Sequence, residues 1–260
     1  MTLNQGERLI LLTNDDGLHA GGLKTLLETM EEFGKVVLIS TIESMSGMSQ
    51  ALTVKTPLRV DVVEETEKHI IYACTGTPTD CVKIALSQLL DREPDWIVSG
   101  INHGANSSTS VLYSGTMGAA IEGCLNGITS VGFSLNTFSP SADFSACKKY
   151  IRIVMEALTK EDLPKGVCLN VNIPKVEADQ IRGIKICRHA KGSWKEDFEK
   201  RKDPTGRAYY WLTGVYVNQE PDATDTDEWA LANNYVSVAP VSVDMTAYEY
   251  LDVFREKLKL

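Results

Sequence analysis

Short apolar runs that end in small or polar residues recur along the first two thirds of the chain. They lie at residues 9–12, 36–40, 96–98, 128–135 and 167–173. Continuous runs of this length are typical of strands that are buried on both faces of a sheet. The pattern therefore predicts at least five strands of one mostly parallel sheet.

Segments with helical spacing separate several of these runs. In residues 19–34, 81–90 and 145–158, apolar side chains recur every three or four positions. A strand, a helix and a second strand in close succession form a right-handed unit with parallel strands. Residues 51–75 favour β-structure at an edge of the sheet. The expected fold class is α/β, with a Rossmann-like, doubly wound and mostly parallel sheet.

Local signals mark the expected helix ends. Gly34 follows the last periodic residue of the first helix and is expected to terminate it. Thr79 or Asp80 is expected to cap the next helix, because short polar side chains accept hydrogen bonds from the first free N–H groups.

The character of the chain changes at Ile184. Aromatic residues crowd into a polar stretch, and residues 209–217 alternate like one strand of a hairpin. Residues 247–260 have the spacing of a closing helix. The acidic segment 222–227 is expected to be a solvated turn and helix cap.

We predict a single domain of residues 1–260, with no linker inside it. Residues 1–183 are expected to form the α/β core and residues 184–260 a C-terminal arm with a β-hairpin and a helix. Because aromatic residues are enriched at interfaces, the arm is interpreted as a subunit or substrate-entrance surface.

Composition narrows the range of partners. The chain has 26 Lys and Arg against 35 Asp and Glu, a net charge of −9. This balance argues against nonspecific binding to nucleic acid or to an anionic membrane. No signal segment or membrane-spanning run is visible. The six cysteines form no C-x-x-C pair and are expected to be reduced thiols of a cytoplasmic protein.

The first chemical motif is Asn14-Asp15-Asp16-Gly17, directly after the first apolar run. Ligands bind beyond the carboxyl ends of the strands in open parallel sheets. Two adjacent carboxylates repel each other unless a cation or a proton lies between them, and oxygen ligands suit a hard cation. A turn or helix N-cap is the alternative interpretation, because all these residue types favour such places.

Two further loops follow predicted strands. Ser46 lies in a small polar loop that either completes a metal site, donates to a phosphate or simply connects elements. Asn102 and Asn106 follow the run at 96–98, and the amide oxygen of Asn102 suits a hard metal. His103 is a candidate base, although a structural hydrogen-bonding role is the more common one.

Ser114-Gly115-Thr116 precedes a segment rich in small residues. If that segment is a helix, its free N–H groups and dipole favour an anion, and the two hydroxyls add donors. The alternatives are an ordinary N-cap or another strand. The small residues indicate that another element packs close to this segment.

Taken in order, these motifs resemble the SurE family of stationary-phase survival proteins, which are nucleoside monophosphate phosphatases. The resemblance rests on the motifs at Asn14–Gly17, Ser46–Ser49, Gly76–Cys81, Ser99–Asn102 and Tyr113–Thr116, and extends weakly to Thr224-Asp225 and to residues 235–240. A departure is Gly21, where the family usually has proline; His103 and Ala105 occupy positions that vary among relatives.

The resemblance implies specific roles. One divalent cation per subunit, Mg²⁺ or Mn²⁺, is expected at Asp15, Asp16, Ser46 and Asn102, with the two aspartates also catalytic. Ser114, Gly115 and Thr116, with Asn106 nearby, are expected to contact the phosphate. The implied activity is that of a cytoplasmic 5′-nucleotidase, with 3′-monophosphates and short polyphosphate as further substrates. The implied assembly is a homodimer or homotetramer.

Two alternatives remain at this stage. A covalent aspartyl-phosphate mechanism uses a D-x-D arrangement, whereas here the carboxylates are adjacent. The second alternative is a binding protein that senses nucleotide or metal without turnover. A phosphate-release assay separates the second from an enzyme.

Overall fold

The predicted buried runs are strands of one large sheet. The computed structural model of the chain describes residues 6–139 and 141–259. The strands are β1 Leu9–Thr13, β2 Lys35–Thr41, β3 Val60–Glu65, β4 His69–Cys74, β5 Trp96–His103, β6 Thr129–Leu135, β7 Val167–Ile173, β8 Ile184–Ile186, β9 Gly192–Lys202, β10 Ala208–Asn218 and β11 Val236–Ser242.

Six α-helices and three shorter turns connect the strands within these described ranges. The helices are α1 Gly21–Met30, α2 Pro78–Ile84, α3 Gly115–Leu125, α4 Ser145–Leu158, α5 Asp227–Ala232 and α6 Leu251–Leu258. A π turn extends α2 at Ala85–Leu89, and 3-10 turns lie at Ser108–Leu112 and Tyr248–Tyr250.

The main sheet has the order β3-β4-β2-β1-β5-β6-β7-β11-β8 in the part of the chain that the structure describes. The six consecutive strands β4-β2-β1-β5-β6-β7 are parallel to one another. At the two ends of this group, β3 pairs antiparallel with β4 and β11 pairs antiparallel with β7. Strands β9 and β10 form a separate antiparallel hairpin. The predicted α/β class with a mostly parallel sheet is therefore confirmed.

Helices cover both faces of this sheet. Ile10 and Leu12 of β1 pack in one cluster with residues of α1 and α4, whereas Leu9 and Leu11 pack on the opposite face with residues of α2 and α3. All four side chains are at most 4% exposed. Because both faces are covered, β1 is apolar at every position from Leu9 to Leu12 and does not alternate.

The chain reverses its direction of travel across the sheet at β1. Strand β2 lies on one side of β1, and β5 lies on the other. The crevice beyond the carboxyl ends of β1 and β5 is therefore the topological switch point, where ligands bind in open α/β sheets.

The ends of two helices differ from the prediction. Helix α1 ends at Met30, and Gly34 does not terminate it; a Cβ atom on Gly34 would lie only 2.4 Å from the carbonyl oxygen of Arg8. Helix α2 is capped by Thr77, not by Thr79 or Asp80. The Thr77 side chain accepts from the N–H of Asp80, whose carboxylate accepts from the Thr77 N–H at 2.9 Å, so the pair forms a capping box.

The segment after residue 183 does not behave as one unit. Strands β8 and β11 belong to the main sheet, whereas β9 and β10 form a separate two-stranded sheet. Helix α6 has no buried residue among its described positions, so it does not close the core as expected. The division of residues 1–260 into core and arm stays a prediction.

The structure also bears on two expectations from the sequence, the lack of a membrane-spanning run and the reduced state of the cysteines. None of the helices in residues 6–139 and 141–259 combines the length and the apolar character needed to cross a lipid bilayer. Within the same ranges, the cysteines are buried free thiols at positions 74, 81, 124, 147, 168 and 187.

Candidate active site

A cavity of about 990 Å³ lies beyond the carboxyl ends of β1 and β5. The predicted site residues that line it are Asp15, Asp16, Ser46, Asn102, Asn106 and Ser114. Gly115 and Thr116 lie directly behind Asp15, which both of them contact. The fold thus brings the predicted metal and phosphate residues to one place.

Asp15 is the most enclosed carboxylate of this cavity. Its residue is 3% exposed, and its Oδ1 accepts a hydrogen bond from the Thr116 hydroxyl at 2.6 Å. Burial raises the pKa of Asp15 from 3.8 to about 6; the Thr116 bond lowers this pKa in part, and the charge of Asp16 raises it further. Asp15 is thus a carboxylate whose charge the protein alone does not balance.

Asp16 is held by the end of β5. The backbone N–H of His103 donates to its Oδ2 at 2.9 Å, and Nδ1 of the same histidine lies 3.3 Å from that oxygen. The His103 ring also meets Phe144 edge-on, with ring centroids 4.9 Å apart. His103 therefore lies beside a carboxylate, an arrangement suited to orienting Asp16 as well as to proton transfer.

Asn14 shapes the turn that presents the two aspartates. Its side-chain nitrogen donates to the carbonyl of Gly17 at 2.9 Å, and its Oδ1 accepts from Ser40 at 2.6 Å. Gly17 has a φ of +97°, which disfavours other residue types. The turn interpretation of Asn14-Asp15-Asp16-Gly17 thus describes Asn14 and Gly17, while the aspartates face the cavity.

Asn102 and Ser46 add neutral oxygens to the same cavity. The side-chain nitrogen of Asn102 donates to the carbonyl of Gly104 at 2.7 Å, which leaves Oδ1 as the atom suited to a cation. Ser46 is exposed, with its hydroxyl 3.0 Å from that of Ser44. Two carboxylates, an amide oxygen and a hydroxyl form a donor set that fits a hard divalent cation.

Asn106 is fixed from below by β7. Its N–H donates to the Oδ1 of Asn172 at 2.7 Å, and its carbonyl accepts from the Nδ2 of Asn170 at 2.7 Å. Its own Nδ2 donates to the hydroxyl of Ser134 at 2.9 Å. The two asparagines that interrupt the apolar run of β7 therefore form a buried support for a cavity residue.

Ser114 has the position of a helix N-cap. Its hydroxyl accepts from the N–H of Met117 at 3.0 Å, and α3 begins at the next residue. The segment is thus a helix and not a strand. Because Ser114 also lines the cavity, the capping role and a ligand-facing position coexist in one residue.

Helix α3 has small residues where neighbouring loops pack too close for a larger side chain. A Cβ atom on Gly115 would lie 2.9 Å from Oδ2 of Asp15, and one on Gly118 would lie 2.3 Å from the carbonyl oxygen of Ser49. Real Cβ atoms do not approach neighbours so closely. The expectation of close packing is confirmed, and the elements that pack there are the loops after β1 and β2.

The hairpin β9–β10 supplies a wall of the cavity that the sequence did not identify residue by residue. Its contributing residues are Trp194, Glu196, Leu212, Thr213 and Gly214. The only signal in the sequence was the crowding of aromatic residues after Ile184, which indicated a subunit or entrance surface. Register and alternation of a hairpin do not reveal which distant loop it faces.

The profile of the family described as "Survival protein SurE" matches residues 10–196 of the chain. The chain belongs to the SurE family. It is 49% identical over 251 residues to the protein named 5′-nucleotidase SurE of Christiangramia forsetii, with 96% of each chain covered. It is 47% identical to the protein of the same name from Flavobacterium psychrophilum, with 92% and 93% covered.

The SurE fold accounts for nearly the whole chain. The crystal structure of SurE from Aquifex aeolicus superimposes with a TM-score of 0.82 at 33% sequence identity. The match covers 96% of this chain and 99% of that one. The family resemblance seen in the motifs therefore extends through the C-terminal region.

Proposed function

We propose that this chain is a 5′-nucleotidase, a metal-dependent phosphomonoesterase that hydrolyses nucleoside 5′-monophosphates to nucleoside and phosphate. The observation that carries the proposal is the meeting of Asp15, Asp16 and Asn102 with the N-terminus of α3 at one cavity. Relatives that cover most of the chain are named 5′-nucleotidase SurE, which supports the same activity.

In this proposal, Asp15, Asp16, Ser46 and Asn102 hold one divalent cation per subunit, Mg²⁺ or Mn²⁺. Bound there, the cation offsets the charge of the phosphate and acidifies water. The buried and unbalanced charge of Asp15 supports this assignment, because burial already raises its pKa to about 6.

The phosphoryl group is bound by Asn106, Ser114, Gly115 and Thr116. The free N–H groups in the first turn of α3 stabilise the charge on the phosphoryl oxygens. The Thr116 hydroxyl donates to Asp15, and the Thr116 backbone also lowers the pKa of that carboxylate by hydrogen bonding, so Thr116 orients Asp15 at the edge of the phosphate site. Water attacks phosphorus and gives a proton to Asp15 or Asp16. The bond to the nucleoside oxygen breaks, and that oxygen takes up a proton and leaves as the hydroxyl group of the nucleoside.

Phosphate release from adenosine 5′-monophosphate tests the proposal. We expect turnover with Mg²⁺ or Mn²⁺ and its loss after exhaustive chelation, because the site holds two adjacent carboxylates. The measurement is the rate of phosphate release before chelation, after it, and after metal is restored. Full activity in the chelated protein would refute the metal mechanism, and tight nucleotide binding without release would favour a sensor.

Phosphate release from a panel of compounds defines which substrates the protein hydrolyses. Nucleoside 3′-monophosphates and short polyphosphate are included in the proposal as further substrates, whereas nucleic acid polymers and membranes are not. The proposed location is the cytoplasm, in keeping with the free thiols.

We also propose that residues 184–260 mediate a homodimer or homotetramer. Large apolar side chains are exposed along the hairpin and α6, including Tyr210, Trp211, Val215, Val253, Phe254 and Leu258. Exposed apolar patches of this kind are typical of subunit interfaces.

Sedimentation velocity at micromolar concentration tests this assembly. Trp211, which is 58% exposed, is expected to lie in the interface, so Trp211→Asp shifts the protein toward smaller species. Val54→Asp is the matched control, because Val54 is 81% exposed but lies outside residues 184–260. A wild-type monomer, or an equal effect of both substitutions, would contradict the proposal.

A further inference from the structure

Asp227 is a fully buried carboxylate in a segment that the sequence predicted to be solvated. Its Oδ2 accepts from the N–H of Ser108 at 2.8 Å and lies 2.8 Å from Nδ1 of His189. Its Oδ1 accepts from the N–H of Ala190 at 2.9 Å. Burial acts to raise the pKa of Asp227, but the bonds from His189, Ser108 and Ala190 outweigh it and hold that pKa below its usual value.

The groups that donate to Asp227 belong to two different walls of the cavity. Ser108 lies in the loop that joins Asn106 to Ser114. Ala190 lies two residues before β9, the strand that carries Trp194 into the cavity wall. One buried carboxylate therefore binds the backbone of the loop between Asn106 and Ser114 and the backbone at the base of the hairpin.

Neighbouring contacts strengthen the same connection. The hydroxyl of Ser108 donates to the carbonyl of Ala190 at 2.7 Å, and Ser107 donates to Glu228 at 2.5 Å. Trp194 Nε1 donates to the hydroxyl of Ser110 at 3.3 Å. The loop and the hairpin base thus form one unit around Asp227.

Capping of α5 does not explain the burial of this carboxylate. Thr226 is the N-cap, and its hydroxyl accepts from the N–H of Trp229 at 3.2 Å. Apart from one bond to the N–H of Glu228, the hydrogen bonds of Asp227 go to residues far away in the chain. Buried charged hydrogen bonds of this kind hold backbone segments firmly.

We propose that Asp227 is a positioning residue, which holds the loop carrying Asn106 and Ser114 against the base of the hairpin β9–β10. The inference rests on the proposed function insofar as that loop binds the phosphoryl group. Asp15 and Asp16 lie in the loop after β1 and Asn102 lies in β5, so Asp227 acts on substrate binding more than on the chemical step.

Asp227→Asn tests the inference, with Asp225→Asn as the matched control. In asparagine an NH₂ group replaces one of the two oxygens. At Oδ2 it loses the bond from the N–H of Ser108, and at Oδ1 it loses the bonds from the N–H groups of Ala190 and Glu228. We expect KM for adenosine 5′-monophosphate to rise about tenfold or more, while kcat changes by less than about threefold. Asp225 has a 65% exposed side chain paired with Arg188, and its substitution is expected to leave both constants unchanged.

The result that would overturn the inference is an unchanged KM in Asp227→Asn, with activity that falls only in proportion to the folded fraction. Equal effects of the two substitutions would overturn it as well. The KM and kcat values are measured on the folded fraction, which is quantified by circular dichroism.

Hydrogen exchange of the wild-type protein gives a second test that needs no variant. If Asp227 holds them, the N–H groups of Ser108 and Ala190 exchange about 1,000-fold more slowly than exposed loop amides. Exchange at the rate of exposed loops would overturn the inference, even if Asp227→Asn fails to fold. Absence of phosphate release from the wild-type protein would instead refute the proposed function and leave the exchange result to decide the inference.

Discussion

Replacing Asp15 with asparagine is expected to abolish phosphate release and, at the same time, to raise the melting temperature of the cation-free protein. The two effects have one cause, the burial of a charged group next to Asp16. Asparagine removes a proposed metal ligand and proton acceptor, but its Oδ1 still accepts from the Thr116 hydroxyl.

The direction of the stability change follows from proton binding. The pKa of Asp15 is raised from 3.8 to about 6 in the folded protein. Between these two values the folded state binds more protons than the unfolded state, so this carboxyl makes stability fall as pH rises from about 4 to about 6. At neutral pH the ionised group costs on the order of 3 kcal/mol, which a neutral amide avoids.

The measurement compares phosphate release and the thermal midpoint in chelator for wild type, Asp15→Asn and Asp61→Asn. Asp61 is an exposed residue of β3, so its substitution controls for the loss of one negative charge. Chelator is needed because a bound cation stabilises the wild-type protein by mass action. Retained turnover would contradict the catalytic assignment, and loss of folded structure would leave it unsupported.

Gly115→Val is expected to remove both turnover and cation affinity. The family resemblance gives Gly115 a role at the phosphate and none at the metal. In the structure, a Cβ atom at this position would lie 2.9 Å from Oδ2 and Cβ of Asp15. The valine side chain therefore displaces a proposed metal ligand, and the expected effect on cation binding is large.

Ser114→Ala is the companion variant for this experiment. It removes the cap bond to the N–H of Met117, which is worth about 0.5–2 kcal/mol of stability. If the hydroxyl also contacts the phosphate in the transition state, kcat/KM falls about tenfold or more. Cation affinity is expected to stay unchanged, because Ser114 has no bond to Asp15 or Asp16 among the contacts of the described residues.

Calorimetric titration with Mn²⁺, kcat/KM and the thermal midpoint distinguish these effects. If a folded Gly115→Val protein binds Mn²⁺ as tightly as the wild type, the valine side chain does not displace Asp15 from the cation site. A Ser114→Ala protein that melts early but turns over normally would reduce Ser114 to a helix cap.

Several elements could be predicted closely because their burial patterns are regular. Residues 145–158 and 167–173 were predicted as a helix and a strand, and α4 and β7 have these bounds. The cap of α2 was misplaced because Thr77, Thr79 and Asp80 are all good capping residues. When several good capping residues lie within four positions, only the backbone conformation decides which of them caps the helix.

The sequence by itself determined the fold class and the convergence of Asp15, Asp16, Ser46 and Asn102. Each of these residues follows a buried run, and the carboxyl ends of parallel strands meet at one edge of a sheet. The order of the runs indicated that these loops lie at one edge of the sheet, whereas the choice of these four residues as one set came from the resemblance to the SurE family.

Only the tertiary structure decided which distant groups contact these residues. Thr116 donates to Asp15 across 101 residues of chain, and Ser108 donates to Asp227 across 119. The hairpin that walls the cavity also lies far from β1 in the chain. Hydrophobic periodicity specifies which face of an element is buried, but not which partner covers it, because that choice depends on packing between elements.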